Sequence, residues 1–209
     1  KIDKISKDVT IKKININSID AEWIIPEHTI DGKILLYIHG GGFISGSCKT
    51  HRMHVAKFAK GSQLKSLLFD YRLAPEHPFP AGLEDCVSVY KWLLTQGYKP
   101  EDIVIGGESA GGTLTLSLLL ALKDEGIRMP KAAFSILPVT DLRCLADSFN
   151  YNAKKDIAPM GSWELWTKYY IGNNDPTLPL LSPQMGNYEE LPPIYIYVLV
   201  HMKFIWMIV

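Results

Sequence analysis

The sequence predicts one α/β domain: a mostly parallel β-sheet with helices on both faces. Three observations predict it. Short, almost continuous apolar runs such as Lys33–Ile38 recur along the chain, the pattern of strands buried on both sides. Segments of helical length separate these runs, and strands alternating with helices imply parallel pairing through crossovers. Glycine-rich turns stand at the ends of two of the runs, where ligands bind in such sheets.

Taken in order, Val9–Ile16 alternates apolar and polar residues and reads as a half-exposed strand, with Ala21–Ile25 able to pair with it across the turn Asn15–Asp20. The buried strand Lys33–Ile38 is followed by a helix over about Arg52–Lys60 and a second buried strand at Ser66–Asp70. A loop carrying Pro75, Pro78 and Pro80 leads into a helix from about Gly82 to Gln96. Next come a strand at Ile103–Gly106 and a Leu-rich helix from about Ala110 to Glu125, which Gly126 stops as a glycine C-cap would. Ala132–Leu137 is another strand. From Asp141 to Pro183 the alternation breaks, and Trp163, Trp166, Tyr169 and Tyr170 recur at near-helical spacing. That spacing fits either a segment covering the site or an amphipathic helix packed on the core. Ile194–Val198 reads as a last strand. The predicted organisation is a single domain over residues 1–198, with roughly 141–183 as a candidate cap.

Bulk properties narrow the function classes. The 209 residues are 47% hydrophobic and 21% charged, with 22 basic and 22 acidic side chains, an ordinary globular composition. Zero formal charge removes the electrostatic motive for binding nucleic acid or an anionic membrane. Cys48, Cys86 and Cys144 are three cysteines at wide spacings, which suits reduced thiols in a cytoplasmic protein better than disulfides or a zinc site. No signal-peptide pattern opens the chain, and its start at Lys1 suggests that residues precede it. The apolar tail Ile194–Val209 contains His201 and Lys203 and falls short of the roughly 20 apolar residues of a membrane span, so no integral membrane segment is expected.

Two motifs carry chemistry. Gly107-Glu108-Ser109-Ala110-Gly111 fits the nucleophile elbow G-x-S-x-G. The serine must sit on a sharp strand-to-helix turn with its hydroxyl pushed out, and a Cβ two residues to either side would clash. The flanking strand and Leu-rich helix are the context this motif requires. The helix beginning at Ala110 also aims its N-terminal amides toward the serine, favouring negative charge there. His39-Gly40-Gly41-Gly42-Phe43 follows the strand Lys33–Ile38. Three glycines at a strand end let backbone N–H groups approach a ligand closely, as an oxyanion hole needs when a carbonyl becomes tetrahedral and negative.

These motifs, together with Asp70–Ala81, Leu137–Leu142 and Leu191–Ile194, give the chain a resemblance to the hormone-sensitive-lipase-like (HGGG, or family IV) esterases from about Ile34 to Val198. The resemblance implies an α/β-hydrolase fold with a small cap, no metal or organic cofactor, and hydrolysis of small-molecule esters with short to medium acyl chains. It implies Ser109 as nucleophile and the amides of Gly41, Gly42 and Ala110 as the oxyanion hole. His39, Gly40, Gly107, Glu108 and Gly111 are implied as scaffold, His39 shaping the glycine loop rather than acting as base. Tyr71, Arg72 and Glu76 look like further scaffold. Oligomeric state, acyl length and physiological ester stay open.

Triad partners in this fold follow in the order serine, acid, histidine. The histidine after Ser109 is His201, too early for the family pattern, and Asp124, Asp141, Asp147, Asp156 and Asp175 all precede the place of the family acid. Neither partner is therefore assigned. After Val198 the family pattern expects a glycine, an acidic residue and then Leu-x-Asp-Asp. Reading each codon's third base with the next two, Met202–Lys203 forces a glutamate, while Trp206–Met207 and Met207–Ile208 each force an aspartate. With permitted codons the shifted peptide is Gly-Ser-His-Glu-Ile-Tyr-Leu-Asp-Asp. The expectation is a frameshift near Val198, with residues 199–209 translated out of frame and the sheet incomplete at its C-terminal end. The chain so read is a truncated esterase of impaired activity. The alternative is a non-catalytic protein of the same fold.

Overall fold

The computed structural model describes residues 7–147 and 162–198. Its sheet has seven strands in the order β1-β2-β4-β3-β5-β6-β7. They are β1 Val9–Ile16, β2 Ile19–Pro26, β3 Ile34–Ile38, β4 Lys65–Phe69, β5 Ile103–Glu108, β6 Ala132–Ile136 and β7 Ile194–Tyr197. From β4 to β7 every neighbouring pair is parallel, while β2 runs antiparallel to both β1 and β4. The mostly parallel sheet expected from the apolar runs is thus present, with a hairpin on its N-terminal edge.

That hairpin is tighter than the sequence suggests. Asn15 and Asp20, expected in the turn, are paired strand residues, and only Asn17 and Ser18 turn the chain, at φ 49° and 72°. Left-handed backbone at both central residues matches the right-handed twist of the strands, so two residues suffice. The polar pair is tolerated because Asn15 accepts from the Ser18 amide at 3.0 Å and donates to Asp20 at 3.0 Å.

Helix α1 (Cys48–Ser62) covers one face of the sheet, and α2 (Ala81–Thr95) and α3 (Ala110–Asp124) cover the other. On the α1 face, Val55, Ala56 and Ala59 pack on Ile24, Leu35, Tyr37 and Leu68. Across the sheet, Ile34, Leu36, Ile38 and Ile105 meet Val89, Leu93, Leu114 and Leu118. Alternation of side chains along β3 supplies both cores, which is why its five residues are all buried.

Helix α1 begins about one turn before Arg52, where the apolar period starts. Its first turn carries no periodic apolar residues but is held by a reciprocal cap: the Ser47 hydroxyl accepts from the Thr50 amide, and the Thr50 hydroxyl accepts from the Ser47 amide at 2.9 Å. Helix α3 is apolar around most of its circumference and buried along most of its length. Its threonine hydroxyls are satisfied: Thr115 donates to the Gly111 carbonyl at 2.9 Å, and Thr113 donates to the Val139 carbonyl at 2.8 Å and accepts from the Val139 amide at 2.9 Å. Gly126 stands just past this helix at φ 64°, the left-handed stop that the sequence predicts.

Within 141–183, the described α4 (Ser162–Ile171) lies against the segment after β3: its Tyr170 is buried and stacks on Phe43 at 3.9 Å and 7°. The tail 199–209, including His201, and Asp156 lie outside the described residues. No helix among the described residues is long and apolar enough to cross a membrane.

Candidate active site

Strand β5 is the middle of the parallel sheet, and its last residue, Glu108, delivers the chain to Ser109 before α3 begins. Ser109 has φ 52° and ψ −123°, a conformation that costs energy for any residue with a Cβ. It is held by the Ser109 amide donating to Ile136 of β6 at 2.8 Å and by the Thr113 amide donating back to the Ser109 carbonyl at 3.0 Å. The flanking glycines are sterically required. A Cβ on Gly107 would come within 2.5 Å of the Gly111 carbonyl oxygen, and one on Gly111 within 2.1 Å of the Ile38 carbonyl oxygen. Helix α3 crosses the end of β3 that closely, which explains why the elbow needs both.

The glycine loop leaves the end of β3 directly opposite. Gly41 and Gly42 have φ 127° and 63°, and Phe43 is also left-handed at 65°. A Cβ on Gly41 would meet the Ser45 carbonyl oxygen at 2.1 Å. Gly40 is pressed against the elbow, a Cβ there falling 2.8 Å from the Glu108 carbonyl oxygen and 3.3 Å from Ser109 Cβ. The two motifs, 68 residues apart at Gly40 and Glu108, are therefore neighbours. Among the described residues, the amides of Gly41, Gly42 and Ala110 meet no hydrogen-bond acceptor. Free donors on two adjoining turns are what an oxyanion requires.

Around this pair the side chains are dense. His39 is fully buried, its ring stacked between His51 at 5.0 Å and Tyr71 at 4.3 Å. Its Nδ1 donates to the Gly40 carbonyl at 2.8 Å, and its own carbonyl accepts from the Tyr71 hydroxyl at 2.9 Å. Burial lowers the His39 pKa, so the ring stays neutral while it braces the loop. Glu108 accepts from the Gly40 amide at 2.7 Å and faces His51 Nε2 at 3.1 Å. On the other side, Trp166 of α4 lies over Gly42, where a Cβ would touch its ring at 3.0 Å.

Sequence reasoning named Ser109, Glu108, His39 and the glycines, and all converge at the ends of β3 and β5. It did not anticipate His51, which no motif marks; the capped start of α1 was the one signal that could have placed it beside β3. No histidine or carboxylate among the described residues hydrogen-bonds the Ser109 hydroxyl. Asp141 is engaged instead with Arg143 at 2.9 and 2.7 Å, and this hydrogen bonding holds its carboxyl below the ordinary range. Asp175 accepts from the Thr177 amide and hydroxyl. Among the described residues, no group of three or more His, Cys, Asp or Glu side chains could hold a metal ion.

Comparison with known proteins places this geometry. The family pattern described as alpha/beta hydrolase fold matches residues 35–201. An acetyl-hydrolase of Streptomyces hygroscopicus is 36% identical over 186 residues, covering 88% of this chain and 62% of the relative. An esterase of Acinetobacter venetianus is 34% identical over 192 residues, covering 91% of this chain and 63% of its own. Among solved structures, an esterase from the bacterial hormone-sensitive lipase family superposes with a TM-score of 0.89 at 37% identity, covering 92% of this chain and 65% of that one. The chain thus spans less than two thirds of the length of these relatives.

Proposed function

The chain belongs to the α/β-hydrolase fold and, within it, to the hormone-sensitive-lipase family of esterases, and from that premise we propose that it hydrolyses carboxylic esters with Ser109 as nucleophile. One observation carries the reading: Ser109 stands at φ 52° on the strand-to-helix turn, with Gly40 of the glycine loop packed against its Cβ. An ester carbonyl lying between the two turns meets the serine hydroxyl on one side and unpaired amides on the other.

Attack by Ser109 Oγ forms a bond to the carbonyl carbon and places a negative charge on its oxygen. The amides of Gly41, Gly42 and Ala110 receive that charge, and the N-terminal end of α3 favours it. Collapse of the tetrahedral species breaks the bond to the alcohol oxygen and leaves an acyl group on Ser109, which water then removes. Both steps need a base that takes the serine proton, gives it to the leaving alcohol and later activates water. The described residues do not present one at Ser109, so the 209 residues assayed alone are expected to turn over slowly. Small-molecule esters with short to medium acyl chains are the proposed substrates, with no cofactor taking part.

The test is hydrolysis of p-nitrophenyl acetate and butyrate by the folded chain beside Ser109→Ala, with fluorophosphonate labelling of both. Slow turnover and labelling that vanish in Ser109→Ala support the reading. Equal rates in the two proteins reject it in favour of a non-catalytic protein of this fold. Rapid turnover lost in Ser109→Ala would keep the nucleophile and overturn the expectation that no base is at hand, with His201 the first residue to replace.

A further inference from the structure

The oxyanion loop has no regular secondary structure of its own, yet its amides must keep one orientation for the chemistry above. Within the loop the Gly41 carbonyl accepts from the Ser45 hydroxyl at 2.8 Å and the Ser45 amide at 3.0 Å, and the Trp166 ring lies over Gly42. The polar bond that ties the loop to the elbow lies one residue earlier. The Gly40 amide donates to Glu108 Oε1 at 2.7 Å, a charge-assisted bond from the loop to the residue immediately before the nucleophile.

Glu108 is itself held. His51 Nε2 lies 3.1 Å from the same carboxylate oxygen, and both side chains are about four-fifths shielded, at 21% and 20% exposure. The opposite nitrogen of His51 is directed at Thr50 Oγ1, 2.8 Å away, and at the Ser47 carbonyl at 3.3 Å, both in the capped first turn of α1. The Tyr37 hydroxyl lies 3.1 Å from His54 Nε2 and adds to the environment that favours the Glu108 carboxylate. The ionisable groups facing His51 are Glu108 at the end of β5, His39 at the end of β3 and Asp70 at the end of β4.

We infer that Glu108 and His51 are a positioning pair for the oxyanion hole, in which α1 holds the Glu108 carboxylate through His51 and the carboxylate holds the glycine loop through the Gly40 amide. The inference rests on the ester-hydrolase reading for its catalytic meaning, but the linkage itself is structural. Neither residue touches the reacting atoms. When His51 is protonated the carboxylate is paired and its oxygen stays aimed at Gly40. When His51 is neutral the ion pair is lost and the loop's restraint weakens. Burial would lower the His51 pKa, but the hydrogen bond and charge of Glu108, with the Ser47 carbonyl and Asp70, raise it.

The experiment reads the loop directly. Amide and imidazole resonances of the full 209-residue chain are followed by NMR from about pH 5 to 9, across the histidine range, beside Glu108→Gln and His51→Gln. The expected result is a far-downfield Gly40 amide proton whose position, with those of Gly41 and Gly42, shifts at the midpoint of the His51 ring. In Glu108→Gln the Gly40 proton moves upfield, the His51 midpoint falls, and the glycines cease to follow it. In His51→Gln the glycine signals lose their pH dependence in this range. Glycine amides indifferent to both substitutions and to the His51 titration would overturn the proposal. If one variant fails to fold, the parent titration and the other variant still decide it.

Turnover separates this inference from the function it serves. On p-nitrophenyl acetate, Glu108→Gln should lower kcat on the order of 10-fold with KM little changed, since an oxyanion donor acts in the transition state. A Ser109→Ala protein as active as its parent would reject the ester reading while leaving the NMR result to decide the positioning pair.

Discussion

Ser109, Gly107 and Gly111 combine a strained serine with close backbone approach at one turn. Ser109 is left-handed at φ 52°, and the Gly111 position lies so close to β3 that an added Cβ would stand 2.1 Å from the Ile38 carbonyl oxygen and 2.5 Å from that of His39. Both obstacles are backbone, which cannot rotate away as a side chain would. Gly111→Ala is therefore expected to cost about 1–3 kcal/mol or more, as overpacking does. Urea unfolding followed by circular dichroism measures it, and a midpoint equal to that of the parent would show that α3 can draw back from β3. Gly126→Ala is the contrasting control: nothing lies within 4 Å of the added Cβ, so the cost comes only from its left-handed φ of 64°.

At the scale of elements, the glycine loop is held from two sides. Helix α1 reaches it through His51 and Glu108, and α4 reaches it through Trp166 over Gly42 and Tyr170 stacked on Phe43. The Phe79 amide donates to the Tyr170 carbonyl at 2.8 Å, so the Pro-rich loop before α2 also ties to α4. Tyr170→Ala removes a buried ring from this junction and should destabilise by roughly 3–5 kcal/mol. The hydroxyl of Tyr170 is buried with no hydrogen-bond partner among the described residues, so Tyr170→Phe should leave stability nearly unchanged. Thermal unfolding of the two variants tests both. A large loss in Tyr170→Phe would show that the hydroxyl rather than the ring stack holds α4.

The whole molecule's stability should depend on pH through groups clustered near the site. Burial would raise the Glu108 carboxyl, yet His51 and the Gly40 amide, with the nearby Tyr37 hydroxyl, hold it below its ordinary 4.5. Its contribution is complete above that value and is lost as pH falls through the lowered one. Asp141, lowered by Arg143, behaves the same way. His39 is lowered below 6.5 by burial, so the unfolded chain binds its proton first and stability falls as pH drops below 6.5. His51 is raised above 6.5, so its contribution is complete below 6.5 and is lost as pH rises through the raised value. Stability should therefore peak near neutral pH and decline on both sides. His51→Gln should flatten the alkaline decline and leave the acid one. Urea midpoints at several pH values check this, and an alkaline decline unchanged in His51→Gln would assign it to another group.

What the sequence by itself determined was local and periodic. Runs such as Ile34–Ile38 read as strands buried on both faces because they are apolar throughout, short and flanked by glycine turns, whereas an equally buried helix such as α3 runs to 15 residues. Gly107, Gly111 and the three glycines after His39 announced close backbone approach, since a side chain at any of these positions would collide or be strained. The resemblance to hormone-sensitive-lipase-like esterases rested on those same residues. The tertiary structure decided what lies between distant segments. It brought Gly40 to Glu108, aimed His51 of α1 at that carboxylate, set Trp166 against Gly42, and began α1 at Cys48 on a polar cap rather than at the first apolar period. Such partnerships have no spacing rule, because they depend on which strand ends the sheet order makes adjacent. That order, with β3 between β4 and β5, arises only when the crossover helices pack on their faces.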